Sequence, residues 1–236
     1  MSTVLRILLV LGFFGLLLGP IQSQQPGGEG QIVRLDLQNS DKTSDEEEED
    51  LPEVIQFFDN PYEGECFVFC CDRSGSMGWT YKGRIKIQYL KEEMIRAVNM
   101  LSSEAEVSAV FFDASMLVFS EQPVPADPAG KQRIIAWVMG ITNGHGTCLA
   151  PAGVRALAVA SRSTKRYRAV IIVTDGIPSC NGVNTQAQCL RDITAANVTR
   201  MPVHTVFVPD DGTWEDPAFL QQLAAMNNGS FKIVGQ

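Results

Sequence analysis

The sequence predicts a doubly wound α/β domain, a mostly parallel sheet with helices on both faces. Three observations carry this expectation. From about residue 53 onward, short apolar runs alternate with segments of helical periodicity. The strongest runs, "CFVFCC" (66–71) and "AVIIVT" (169–174), are continuous rather than alternating, as in strands buried on both faces. Each is followed at once by an aspartate, Asp72 and Asp175, and an open α/β sheet binds its ligands beyond the carboxyl ends of its strands.

The N-terminal part stands apart. Arg6 precedes an apolar run from Ile7 to Ile21, followed by polar "QSQQPGGEG". That order reads as a secretory signal over residues 1–23, or as an uncleaved N-terminal anchor. The apolar run is short for a membrane span, which needs roughly 17–25 residues. A secreted, periplasmic or cell-surface location is expected, touching a membrane only through an uncleaved anchor. Residues 24–52 read as a linker containing "SDEEEED" (44–50), whose like charges repel and favour disorder. The net charge of -8 is concentrated here: residues 1–50 hold nine acids against three bases, and 18 acids face 16 bases in the rest. No basic patch suits a nucleic-acid partner.

The remaining elements follow in order. Residues 85–101 place Ile87, Leu90, Met94, Val98 and Leu101 at helical intervals. "VSAVFFD" (107–113) and "MLVFS" (116–120) read as a hairpin around Ala114, allowing one antiparallel edge strand. Residues 130–140 form a helix ending at Gly140. Residues 149–163 form another, rich in small residues and so suited to close packing. The β-branched run Val170–Thr174 favours a strand. A helix (186–197), a strand (203–208), a helix (216–226) and a strand (230–234) complete the pattern. His204 reads as a satisfied residue within its strand.

The chain has six cysteines. Cys180 and Cys189 bracket the polar loop "CNGVNTQAQC" and are the expected disulfide. Cys70 reads as a small buried hydrophobe. The pairing of Cys66, Cys70, Cys71 and Cys148 is open, and the paired spacing of a structural zinc site is absent.

Asp72, Ser74, Ser76, Thr147 and Asp175 are the candidate site. All offer oxygen, which suits magnesium first, with manganese or calcium as alternatives, rather than zinc. Alternate side chains of one loop can converge on one point, which accounts for the spacing of the first three. Only two of the five are charged, so a bound dication would keep electrophilic character and accept a carboxylate from a partner.

With these residues in view, the sequence resembles the von Willebrand factor type A family. Asp72-Arg73-Ser74-Gly75-Ser76 matches its DxSxS motif, Thr147 in "GHGTCL" its threonine loop, and Asp175 in "VTDGIPS" its second aspartate. The resemblance covers roughly residues 54–236, a domain over 53–236. It implies a Rossmann-like six-stranded sheet of order 3-2-1-4-5-6 and a metal ion-dependent adhesion site. It also implies a binding rather than catalytic role: a secreted or surface-exposed module that captures an exposed Asp or Glu of a protein partner. There are departures. His145 separates Gly144 from Gly146 where the family often has adjacent glycines; it either contacts a ligand or lies exposed in the loop. Trp79 and Tyr81 either line a recognition surface or pack the loop. No acidic pair follows Ser76, so the second calcium site of some relatives is not expected.

Two other readings compete. A scaffold component of a multi-protein complex would bind its partner unchanged in chelator. A magnesium-dependent phosphoryl transferase would use Asp72 as nucleophile, but such enzymes usually carry a second acid where Ser74 stands. A GxSxG nucleophile elbow is absent from the sequence.

Overall fold

The structure, a computed structural model, describes residues 51–211 and 216–236. The expected signal or anchor, and the linker as far as residue 50, lie outside the described residues. Strands β1 (Glu53–Phe57) and β2 (Asn60–Gly64) form an antiparallel hairpin. The central strand β3 (Cys66–Asp72) is buried along its whole length and runs into a short 3-10 turn at Gly75–Gly78. A two-residue ladder, β4 (Thr80–Tyr81) with β5 (Arg84–Ile85), leads into helix α1 (Lys86–Met100). Next come β6 (Glu106–Phe112), β7 (Met116–Val118), β8 (Val124–Pro125), α2 (Pro128–Met139) and α3 (Leu149–Ala160). Asp127 caps α2, its carboxylate accepting from Gly130 N at 2.7 Å, with Pro128 in the first turn. The chain continues through β9 (Arg168–Thr174), β10 (Ser179–Cys180), β11 (Val183–Asn184) and α4 (Gln186–Ala196). It closes with β12 (Val203–Phe207), α5 (Ala218–Met226) and β13 (Phe231–Ile233).

The main sheet runs β13-β12-β9-β3-β6-β7, with β8 also pairing with β6. Numbered along the chain, the six principal strands stand in the expected order 3-2-1-4-5-6. The pairs among β13, β12, β9, β3 and β6 are parallel, while β7 and β8 are antiparallel to β6. Two features differ from the expectation: β8 adds a seventh strand, and residues 53–64 form the β1–β2 hairpin. β1 and β2 alternate buried and exposed positions, the period of a strand pair with one covered face.

Two apolar layers sandwich the sheet. On one face, Phe67, Phe69 and Cys71 of β3 pack with Ile87, Leu90 and Met94 of α1 and with the first hairpin. On the other, Cys66, Val68 and Cys70 pack with α3, α4 and α5. The adjacent Cys70 and Cys71 therefore face opposite layers, as strand alternation requires. Small residues let α3 and α4 approach closely: a Cβ on Gly153 would lie 2.4 Å from Ile193 Cδ1. Among the described residues, no helix is long and apolar enough to cross a membrane.

His204 is half-buried with its ring edge-on to Tyr62, and its Nδ1 accepts from Ser230 N at 3.0 Å. Nδ1 is thus an acceptor in the neutral ring, leaving the proton on Nε2. Burial pushes its pKa down to about 4.

Candidate functional site

Strand order reverses at β3, since the chain leaves it for β6 on one side and returns to β9 on the other. A crevice opens at the carboxyl ends of two parallel strands connected to opposite sides. Asp72 is the last residue of β3, and Asp175 follows β9 directly. Both are buried, as is Ser74.

Local hydrogen bonds hold the loop after β3 in shape. Asp72 Oδ1 accepts from Ser74 N at 2.7 Å, turning the chain back on itself, and Asp72 Oδ2 accepts from Thr174 Oγ1 at 2.6 Å. The hydroxyls of Ser74 and Ser76 lie 3.0 Å apart, and Ser76 Oγ donates to Asp175 Oδ1 at 2.9 Å. Met77 is fully buried beneath the turn and anchors it in the core. Four of the five expected residues thus form one polar cluster.

Thr147 enters through its loop. Its backbone N donates to Ser179 O at 2.9 Å, tying it to the segment beyond Asp175. The loop before it is held by Asp113, at the end of β6. Asp113 Oδ2 meets Arg73 Nη2 at 2.9 Å and accepts from His145 N at 3.2 Å. Gly144 N donates to Arg73 O, and Asn143 Nδ2 donates to Ser74 O. Gly144 admits no side chain, because a Cβ there would fall 1.7 Å from Asp113 Oδ2. Burial would raise the Asp113 pKa, but hydrogen bonds from Ser115 and His145 N, with Arg73 beside it, hold it below the ordinary carboxylate range.

Both carboxylates of the cluster are pushed toward the protonated form. Burial, and then repulsion from Asp175, push Asp72 from 3.8 up to about 7, against the hydrogen bonds from Thr174 and Ser74. Burial also raises Asp175, opposed by an ion pair between its Oδ2 and Lys86 Nζ. Among the described residues, no other group donates a hydrogen bond to that Oδ2. An all-oxygen donor set with two buried carboxylates in mutual repulsion fits a hard divalent cation, which would relieve that repulsion.

The remaining expectations divide. Trp79 is 61% exposed at the rim, whereas Tyr81 is buried and donates its hydroxyl to Val234 O at 2.8 Å. Tyr81 therefore packs the loop and does not line a surface, because β4 turns its side chain inward. His145 is exposed, and its backbone N–H and C=O tie down the loop. The expected Cys180–Cys189 disulfide is corrected: Cys180 pairs with Cys148, beside Thr147. Cys189 sits on the inner face of α4, buried among α3 and the sheet, while β10 runs alongside the Thr147 loop.

Sequence reasoning did not single out Arg73, Asp113, Asn143, Thr174, Lys86 or Asp210. A signal existed for Asp113 and Asp210. Asp113 directly follows β6 and Asp210 comes shortly after β12, on the same carboxyl edge of the sheet as Asp72 and Asp175. The buried Lys86 had no such signal.

This geometry defines a class: doubly wound domains with an oxygen-rich site where the strand order reverses. Within that class, the chain belongs to the von Willebrand factor type A domain family, whose model matches residues 67–233. Among solved structures it is similar to a von Willebrand factor type A protein from Catenulispora acidiphila, with 19% identity and a TM-score of 0.62 over 75% of this chain and 40% of that one. It is also similar to the PilB minor pilin from Streptococcus sanguinis, with 14% identity and a TM-score of 0.58 over 75% of this chain and 58% of that one. The vWF domain of the type V pili tip protein Mfa5 from Porphyromonas gingivalis matches at 11% identity and a TM-score of 0.56, over 77% of this chain and 90% of that one. The chain thus spans less than two thirds of the first two of these proteins. At these identities the likeness shows the fold. No curated protein sequence matches the chain.

Proposed function

We propose that this chain is a non-catalytic, adhesion-type binding module that acts outside the cytoplasm. It captures an exposed Asp or Glu of a protein partner through a divalent cation, magnesium first, held by Asp72, Ser74, Ser76, Thr147 and Asp175. The observation that carries this reading is the hydrogen-bonded chain from Ser74 through Ser76 to Asp175, beside the buried Asp72, at the switch point of the sheet. When bound, the cation supplies a Lewis-acidic position for an incoming carboxylate oxygen.

The residues of the chain do the rest. Asp72 is oriented by Ser74 N and Thr174 Oγ1, each of which bonds one of its oxygens and leaves a lone pair on each free for the cation. Ser74 and Ser76 contribute oxygen without charge. Trp79 offers an exposed aromatic face at the rim, a residue type that anchors protein interfaces. The pilin and pilus-tip proteins that share the fold support the adhesion reading by analogy.

The test is a pull-down from the native extracellular fraction on the immobilised protein, in magnesium and in EDTA, repeated with Ser74→Ala. A partner retained in magnesium and lost in both EDTA and the variant is expected. Equal retention in EDTA would overturn the reading.

A further inference from the structure

Lys86 breaks two rules at once. It is the first residue of α1, where the helix dipole disfavours a cation, and its side chain is fully buried. A buried ammonium is costly unless well paired. Here Nζ meets two carboxylates, Asp175 Oδ2 and Asp210 Oδ1. The Trp79 ring lies 5.7 Å from Nζ. The backbone is pinned as well: Lys86 N donates to Trp79 O at 3.0 Å, and Trp79 N to Ser76 O at 2.8 Å. Two hydrogen bonds thus couple the start of α1 to the loop that carries Ser74 and Ser76.

Asp175 is consequently shared. One oxygen accepts from Ser76 in the cluster, and the other is held by a fixed positive charge behind it. Asp210, the second partner of the ammonium, draws part of that charge away from Asp175.

We propose that Lys86 is a built-in counter-cation that restrains the metal affinity of the oxygen cluster by neutralising Asp175 from behind, with Asp210 setting how strongly it does so. The proposal rests on the metal-binding reading of this cluster. With Asp72, Asp175 and Asp210 ionised, Lys86 leaves these side chains two negative charges, which one dication balances; without it three remain. Restrained affinity has a purpose in a capture site, since a cation less neutralised by its own ligands attracts an external carboxylate more strongly.

The two partners of Asp175's neighbourhood should act in opposite directions, and a merely structural role would not produce that. Lys86→Met keeps the side-chain volume and removes the charge. Asp210→Asn leaves the ammonium wholly to Asp175. Manganese titration of the purified protein, followed by electron paramagnetic resonance, reads affinity without any partner. Lys86→Met is expected to bind manganese at least about tenfold more tightly, and Asp210→Asn at least about threefold more weakly. Thermal unfolding gives a second reading: the Tm gain from magnesium over EDTA should be larger in Lys86→Met than in wild type. Unchanged or weaker manganese binding in a folded Lys86→Met protein overturns the proposal. So does unchanged or tighter binding in Asp210→Asn, which decides the matter if Lys86→Met does not fold. Failure of the metal-binding reading itself is distinct: wild type would then bind no manganese.

Discussion

Replacing Asp72 by Asn should stabilise the metal-free domain while abolishing its response to metal. Asp72 is fully buried, and desolvation and then Asp175 raise its pKa from 3.8 to about 7. A carboxyl with a raised folded-state pKa holds its proton more tightly folded than unfolded. Stability is therefore fully supported below the unfolded pKa and falls as pH rises through the window from 3.8 to about 7. Above that window the ionised group costs on the order of 4 kcal/mol. Asn has the same shape without the charge. Its carbonyl can accept from Ser74 N, and its amide can donate to Thr174 Oγ1, replacing both existing bonds. Urea unfolding in EDTA at about pH 8 should show Asp72→Asn more stable than wild type by about 2–4 kcal/mol. The variant should also lose the decline of stability between pH 3.8 and about 7, and excess magnesium should stabilise wild type alone. An Asp72→Asn protein less stable than wild type in EDTA at that pH would refute the reasoning.

Other perturbations probe the frame around the site. Serine at both Cys148 and Cys180 removes a bridge spanning 32 residues and should cost about 3–4 kcal/mol in thermal or urea unfolding, whereas Cys189→Ser should leave the bridge intact in a non-reducing peptide map. Gly144→Ala drives a Cβ into Asp113, so about 2–4 kcal/mol of stability should be lost, with weaker manganese binding as the Thr147 loop shifts. His204 has a depressed folded-state pKa of about 4 because burial disfavours its charged form. Its contribution is present above the unfolded value of 6.5 and lost as pH falls toward 4, up to about 3 kcal/mol. His204→Gln should flatten that acid limb of the unfolding profile, and an unchanged limb would assign the acid sensitivity elsewhere.

Much of this protein was written locally. The continuous apolar runs of β3 and β9 determine strands buried on both faces, and the spacing of Ile87, Leu90 and Met94 determines an amphipathic helix. Backbone geometry makes both patterns readable from neighbours in sequence. The aspartates after the strands mark the carboxyl edge of the sheet for the same reason. The tertiary structure decided what depends on residues far apart in the chain. Cys180 found Cys148 rather than Cys189 because β10 lies against the Thr147 loop while α4 turns Cys189 into the core. Tyr81 and Trp79, two residues apart, went to opposite environments because one ladder strand turned inward. Lys86 reads in sequence as an ordinary polar helix start. Only the fold brings Asp175 and Asp210, from the ends of two other strands, onto its ammonium, and the energy of a buried charge depends on those distant partners.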